Sequence, residues 1–203
     1  MQESPLNLSA SKSGIMGQYA LGALAIVALI FLIGCSSTSA PPERYDAAKS
    51  AQLAFETYDV NKDGTLSAQE LKQSPALESA MNRLDKDNSG SVSAEEISQR
   101  IQAYESQSNF VGVMVQLKSG RHPVEMATVT FEPESFMGAN FQSFTGVSSS
   151  GGVVNLVGQE KQTPGLPLGF YRVTIKRDGG AETIHGCEIA DDVPSAGRMN
   201  IAL

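Results

Sequence analysis

Residues 59–70 and 85–96 repeat one pattern of oxygen-bearing side chains, and no other feature of the chain constrains its fold as tightly. The first run carries Asp59, Asn61, Asp63, Gly64, Thr65, Ser67 and Glu70; the second carries Asp85, Asp87, Ser89, Gly90, Ser91, Ser93 and Glu96. Carboxylate, amide and hydroxyl oxygens recur at every second position, and a glutamate closes each run at its twelfth. Gly64 and Gly90 fall at the sixth, where a sharp turn needs a backbone angle that a side chain resists. Asp, Asn and Gly also cluster in ordinary turns, so one such run would say little. Two complete runs in tandem point to a pair of oxygen cages, each wrapped round a hard cation.

The flanks are helical. Phe55 and Tyr58 precede the first run at helical spacing, Met81 and Leu84 precede the second, and Leu71, Ile97 and Ile101 begin the apolar faces that follow. With these flanks, residues 43–105 resemble a tandem pair of EF-hands. The resemblance implies two calcium ions. Asp59, Asn61, Asp63, Thr65, Ser67 and Glu70 would hold one, and Asp85, Asp87, Ser89, Ser91, Ser93 and Glu96 the other. In such loops the seventh residue offers its backbone carbonyl, the ninth works through a water, and the glutamate closes the sphere with both oxygens. Leu66 and Val92 would bridge the loops through a short strand contact.

Only residues 71–84 separate the loops, and they must contain two helices, broken at Pro75. Helices this short leave little room for a groove that opens round a target, which favours a structural or buffering role. Each loop has three carboxylates, opposed by Lys62 or Lys86. That charge count suggests the affinity class of extracellular modules, roughly 10⁻⁴ to 10⁻³ M. Magnesium, which demands a tight octahedron and keeps its waters, should compete poorly.

The amino end suggests where such sites would serve. Residues 19–33 are almost wholly apolar, follow Lys12 and a polar leader, and run into Leu32-Ile33-Gly34-Cys35. A charged start, an apolar centre and small residues at the end describe a secretory signal in residues 1–34. The Leu-Ile-Gly-Cys string resembles the lipobox of bacterial lipoproteins, which implies that Cys35 becomes the lipidated first residue of the mature chain. Residues 35–42 would then be the lipid attachment and a polar tether. The alternative is an uncleaved membrane helix over residues 15–33. Both readings leave the remainder outside the cytoplasm, held to a membrane at the cell envelope. With Cys35 committed to lipid, Cys187 has no disulfide partner, since the chain has 2 cysteines.

The texture changes at residues 106–109, read as a linker. Residues 41–105 hold 12 acidic and 7 basic residues, whereas 106–203 hold 9 and 7, and no basic cluster exists for nucleic acid. Beyond the linker, alternation of period two sets in: Val111/Val113/Val115/Leu117, Ala127/Val129/Phe131, Val153 to Val157, Tyr171/Val173/Ile175 and Met199/Ile201/Leu203. Lys118-Ser119-Gly120, Gly151-Gly152 and Asp178-Gly179-Gly180 punctuate the runs. Residues 110–203 therefore read as an antiparallel β-sandwich.

Ser119-Gly120-Arg121-His122-Pro123-Val124 before Ala127-Thr128-Val129-Thr130-Phe131, and later Leu168-Gly169-Phe170-Tyr171-Arg172-Val173, resemble carboxypeptidase-regulatory-like, transthyretin-like modules. That resemblance implies a non-catalytic scaffold that adheres to a carbohydrate, a peptide or an envelope protein.

No residues are assigned to catalysis. His185 and Cys187 alternate onto one strand face and read as partly buried strand residues, His122 as a surface residue. Ser148-Ser149-Ser150 lacks the glycine frame of a nucleophile elbow. Glu132 and Glu134 read as solvated turn carboxylates. The whole is a multi-domain chain, α plus all-β: an amino-terminal signal or anchor helix, a helical EF-hand pair and an antiparallel sandwich. Its expected function is calcium binding with a structural or buffering role. The alternative is a partner-binding sandwich on a stalk that calcium rigidifies. In either case the helical pair is expected to melt separately from the sandwich.

Overall fold

The computed structural model describes residues 45–158 and 165–203. The apolar run at 19–33, Cys35 and the tether lie outside the described residues. Helix α1 (Ala47–Tyr58) starts where the Asp46 side chain accepts the Lys49 N–H at 3.0 Å, satisfying a free donor of the first turn. The four-residue α2 (Ala68–Leu71) opens on Ser67, and α4 (Ala94–Ala103) on Ser93. Both starts are capping boxes: the serine takes the N–H of the glutamate three residues on, and that glutamate reaches back to the serine N–H. Pro75 opens α3 (Pro75–Leu84) at its first position, where the missing N–H costs nothing. Ala76, Leu77, Ala80 and Leu84 fall on one face of α3 and are fully buried. Burial of each leucine contributes about 2 kcal/mol.

Between these helices, β1 (Thr65–Ser67) and β2 (Ser91–Ser93) pair antiparallel, with Leu66 opposite Val92 as the spacing predicts. Further along come β3 (Phe110–Val111), β4 (Met114–Ser119), β5 (His122–Pro123), β6 (Thr128–Pro133), β7 (Phe144–Val147), β8 (Val153–Val154) and β9 (Val157–Gly158). The last four strands are β10 (Leu166–Pro167), β11 (Gly169–Lys176), β12 (Thr183–Ile189) and β13 (Arg198–Ala202). A five-stranded antiparallel sheet has the order β12-β11-β6-β7-β9, and a smaller sheet has the order β13-β4-β5, with β8 added to β4.

The expected sandwich is thus mostly antiparallel, with one correction: β13 runs parallel to β4, from Arg198 opposite Met114 to Ala202 opposite Lys118. Alternation marks which residues face inward but carries no information on strand direction. The run from Val111 to Leu117 also breaks at Gly112-Val113, so that β3 joins β10 while β4 joins the small sheet. Val115 and Leu117 on one sheet, and Val129, Phe131, Tyr171, Val173 and Ile175 on the other, are buried as read.

The opposite face of the large sheet is not solvated throughout. Phe170 of β11 meets the rings of Tyr104 and Phe136 at centroid distances of 6.2 and 5.7 Å. Arg172 donates to the Gln73 carbonyl at 3.1 Å, and Tyr45 donates to the Leu168 carbonyl at the same distance. At Gly186 of β12 the start of α3 comes so close that an added Cβ would stand 1.8 Å from the Pro75 carbonyl oxygen. The described residues are therefore layered as helices, large sheet and small sheet. Residues 43–203 form one unit, so the expectation of separate melting, which presumed no packed interface, does not fit the structure.

Candidate metal centre

Each loop is shaped by its own side chains before any cation is considered. Lys62 and Asn88 stand at the fourth position with φ of 58° and 59°, and Gly64 and Gly90 at the sixth with 84° and 81°. Two left-handed residues per loop curl the backbone inward, at a cost of about 1–2 kcal/mol for a non-glycine. The sequence marks the glycines; Lys62 is a position it does not reveal. Asp59 and Asp85 each accept the N–H of their loop glycine, at 3.1 and 2.9 Å. The closing glutamates are aimed by backbone donors: Val60 and Asn61 N–H to Glu70 Oε1 at 3.0 and 3.3 Å, and Lys86 N–H to Glu96 Oε1 at 2.7 Å. Ser67 and Ser93 hold the other glutamate oxygen through hydroxyl and N–H.

The donor sets of the two loops differ. In the second, one carboxylate oxygen from each of Asp85, Asp87 and Glu96 lies within 4.8 Å of the others, and this is the one such acidic, histidine or cysteine trio among the described residues. A calcium ion 2.3–2.6 Å from every ligand requires oxygens no more than about 5 Å apart, so the trio fits. In the first loop, Asp63 is turned toward Asn61 Nδ2 at 2.8 Å and toward Thr65 N–H and Oγ1, both at 2.9 Å. Asp59 Oδ1 is buried there without a hydrogen-bond partner. A buried carboxylate oxygen in that condition is costly unless a cation serves it. Thr65, Ser67, Ser91 and Ser93 sit on the paired strands β1 and β2, while Ser89 bonds the carbonyl and hydroxyl of Ser91.

Hydrogen bonding keeps four of the loop carboxylates ionised. The Thr65 N–H, then Asn61 and the Thr65 hydroxyl, hold Asp63 below the usual range; the Ser67 hydroxyl and N–H do so for Glu70, and the Ser89 hydroxyl and N–H for Asp87. At Glu96, burial pushes upward, but the N–H groups of Ser93 and Lys86 outweigh it.

Residues 51–73 and 77–101 each match the family model of the EF hand. No curated protein and no solved structure matches the chain. The two EF-hand segments and the gathered oxygens together indicate calcium binding.

The EF-hand pair is held from outside by two carboxylates that sequence reasoning missed. Glu134, read as a solvated turn residue, is buried; it accepts from the Tyr58 hydroxyl at 3.1 Å and the Ala76 N–H at 3.4 Å. Glu188 is buried between Arg83, Arg100 and the Tyr104 hydroxyl. Nothing local marks either one, because their partners lie between 58 and 105 residues away in the chain. Arg100 also forks onto Asp192 with two bonds of 2.8 Å. Burial lowers the Arg100 value, but Asp192 and Glu188 more than offset that and raise it.

His185 and Cys187 are partly buried strand residues, as read from the alternation, and burial pushes the Cys187 thiol well up.

Proposed function

We propose that the chain is a calcium-binding protein of the cell envelope that holds two ions, one per EF-hand loop, in a structural or buffering role. The carrying observation is the convergence of Asp85, Asp87 and Glu96 oxygens within 4.8 Å, inside a segment that matches the EF hand. Asp59, Asn61, Asp63, Thr65, Ser67 and Glu70 serve the first ion; Asp85, Asp87, Ser89, Ser91, Ser93 and Glu96 serve the second. The role is binding rather than catalysis. Export and lipidation at Cys35 place the loops where calcium is abundant, so that modest affinity suffices.

Isothermal calorimetry of the full chain should show two calcium equivalents. Glu70→Gln and Glu96→Gln should each weaken one equivalent by more than about tenfold, because each removes a charge from the ligand set. Two unchanged equivalents in the double variant would sink the ligand assignment. Mass spectrometry of membrane-extracted protein should find a lipidated Cys35 as the first residue; an intact Met1 with unmodified Cys35 would favour the uncleaved helix.

A second reading, in which the sandwich grips an envelope partner, draws on the large sheet beyond the helices. There Ile184, Thr174, Thr130, Thr145 and Val157 lie in register across all five strands, with Ile184 and Val157 well exposed. Retention of an envelope polysaccharide or protein that persists in chelator would assign that row its own binding function.

A further inference from the structure

We propose that Glu188, a residue of the sandwich and not a calcium ligand, sets the calcium affinity of the second hand by fixing the angle between its two helices. The inference rests on the calcium reading above. Arg83 lies in the last turn of α3, two residues before Asp85; Arg100 lies on α4, one turn beyond Glu96. The helix that enters the loop and the helix that leaves it therefore each send one arginine to the same carboxylate. Arg83 Nε meets Glu188 Oε2 at 2.8 Å, Arg100 Nε meets Oε1, and the Tyr104 hydroxyl joins Oε1 at 2.7 Å. The Glu188 side chain is wholly buried and that of Arg100 is 9% exposed, so the bond between them is not freely exchanged for water.

Asp192 takes the remaining face of Arg100 and pins α4 to the sandwich a second time. On the α3 side Arg83 ties the end of the helix next to the loop, while the Glu134 carboxylate takes the Ala76 N–H at its far end.

This clamp coincides with a gathered site. In the clamped arrangement the Asp85, Asp87 and Glu96 oxygens already lie together, so the clamp favours the conformation that binds the ion. Loss of one arm lets α3 and α4 splay, lowers the fraction of competent molecules and raises the apparent Kd by the same factor. The first hand is held differently, by Glu134 on Tyr58 and by Arg172 of the sheet on the Gln73 carbonyl, and neither contact involves Glu188. Its loop should respond little to the arginine clamp.

The amide signals of Gly64 and Gly90 report the two loops separately, because each N–H donates to the first aspartate of its own loop. Full-length chain, labelled with nitrogen-15, is titrated with calcium chloride as wild type, Arg83→Met, Arg83→Lys and Glu188→Gln. In Arg83→Met and Glu188→Gln the Gly90 midpoint should move to about tenfold higher calcium, an ordinary coupling between linked sites. The Gly64 midpoint should change by less than about twofold, and Arg83→Lys should recover most of the Gly90 loss.

Equal shifts at both glycines would mean general loosening and would overturn the proposal, as would a Gly90 midpoint unchanged in both variants. A wild type silent at both glycines would overturn the calcium reading itself; a normal wild type with normal variants overturns the clamp alone. Should Glu188→Gln fail to fold, Arg83→Met decides the question, since the Arg83 side chain is 37% exposed and its removal leaves the Arg100 contacts in place.

Discussion

Glu70 and Glu96 each hold two roles that one substitution can separate. Each closes its loop, and each is the far member of a capping box on the helix that follows. Glutamine can still reach back to the serine N–H, so Glu96→Gln should cost calcium far more than it costs helix α4. The same residues set the acid limit. The hydrogen bonds on Asp63, Glu70, Asp87 and Glu96 hold their folded-state values below the ordinary ones. Such groups add stability above the unfolded-state value and lose it as pH falls through the lower folded-state value. At these four groups protons compete with calcium in that lower window. Calcium affinity should therefore stay flat from pH 7 down to about pH 5 and drop only below the ordinary carboxylate range, near 4. A calorimetric series at fixed ionic strength checks this; a steady decline through pH 6 would show that the hydrogen bonds do not protect the ligands.

Among the elements, those with local causes were legible and those with distant causes were not. Gly64 and Gly90, the Ser67 and Ser93 caps, and Pro75 lie within a few residues of what they determine, so loops, helix starts and the Leu66/Val92 bridge follow from spacing. The buried faces of β4, β6 and β11 follow from alternation. The parallel register of β13 on β4 joins residues 84 apart, and the Glu134 and Glu188 contacts span similar gaps; no local pattern encodes such pairs. The caps give a test at this scale. Ser93→Ala removes the acceptor for the Glu96 N–H and one donor to its carboxylate, and should destabilise the calcium-free protein by about 1 kcal/mol. Thermal melts in chelator measure it; an unchanged midpoint would mean that Glu96 orders the turn alone.

In the molecule as a whole, the helices use the large sheet as part of their core. Phe170, Tyr104, Phe136 and Tyr45 are buried together between layers. The full chain should accordingly melt in one transition, with and without calcium. An ion at about tenfold above its Kd adds roughly 1.4 kcal/mol per site, and that gain should raise the single midpoint. Calorimetric scans in calcium and in chelator decide: two transitions, only one of them moving with calcium, would mean that the layers fold independently. Gly186 makes the layering fragile in a particular way. The Pro75 carbonyl occupies the place where any other residue would put its first side-chain carbon, so a single methyl at this strand position would wedge α3 away from the sheet. One inconspicuous glycine, remote from every ligand in the sequence, thus decides whether the ion-binding layer and the β-sandwich behave as one body or as two tethered ones.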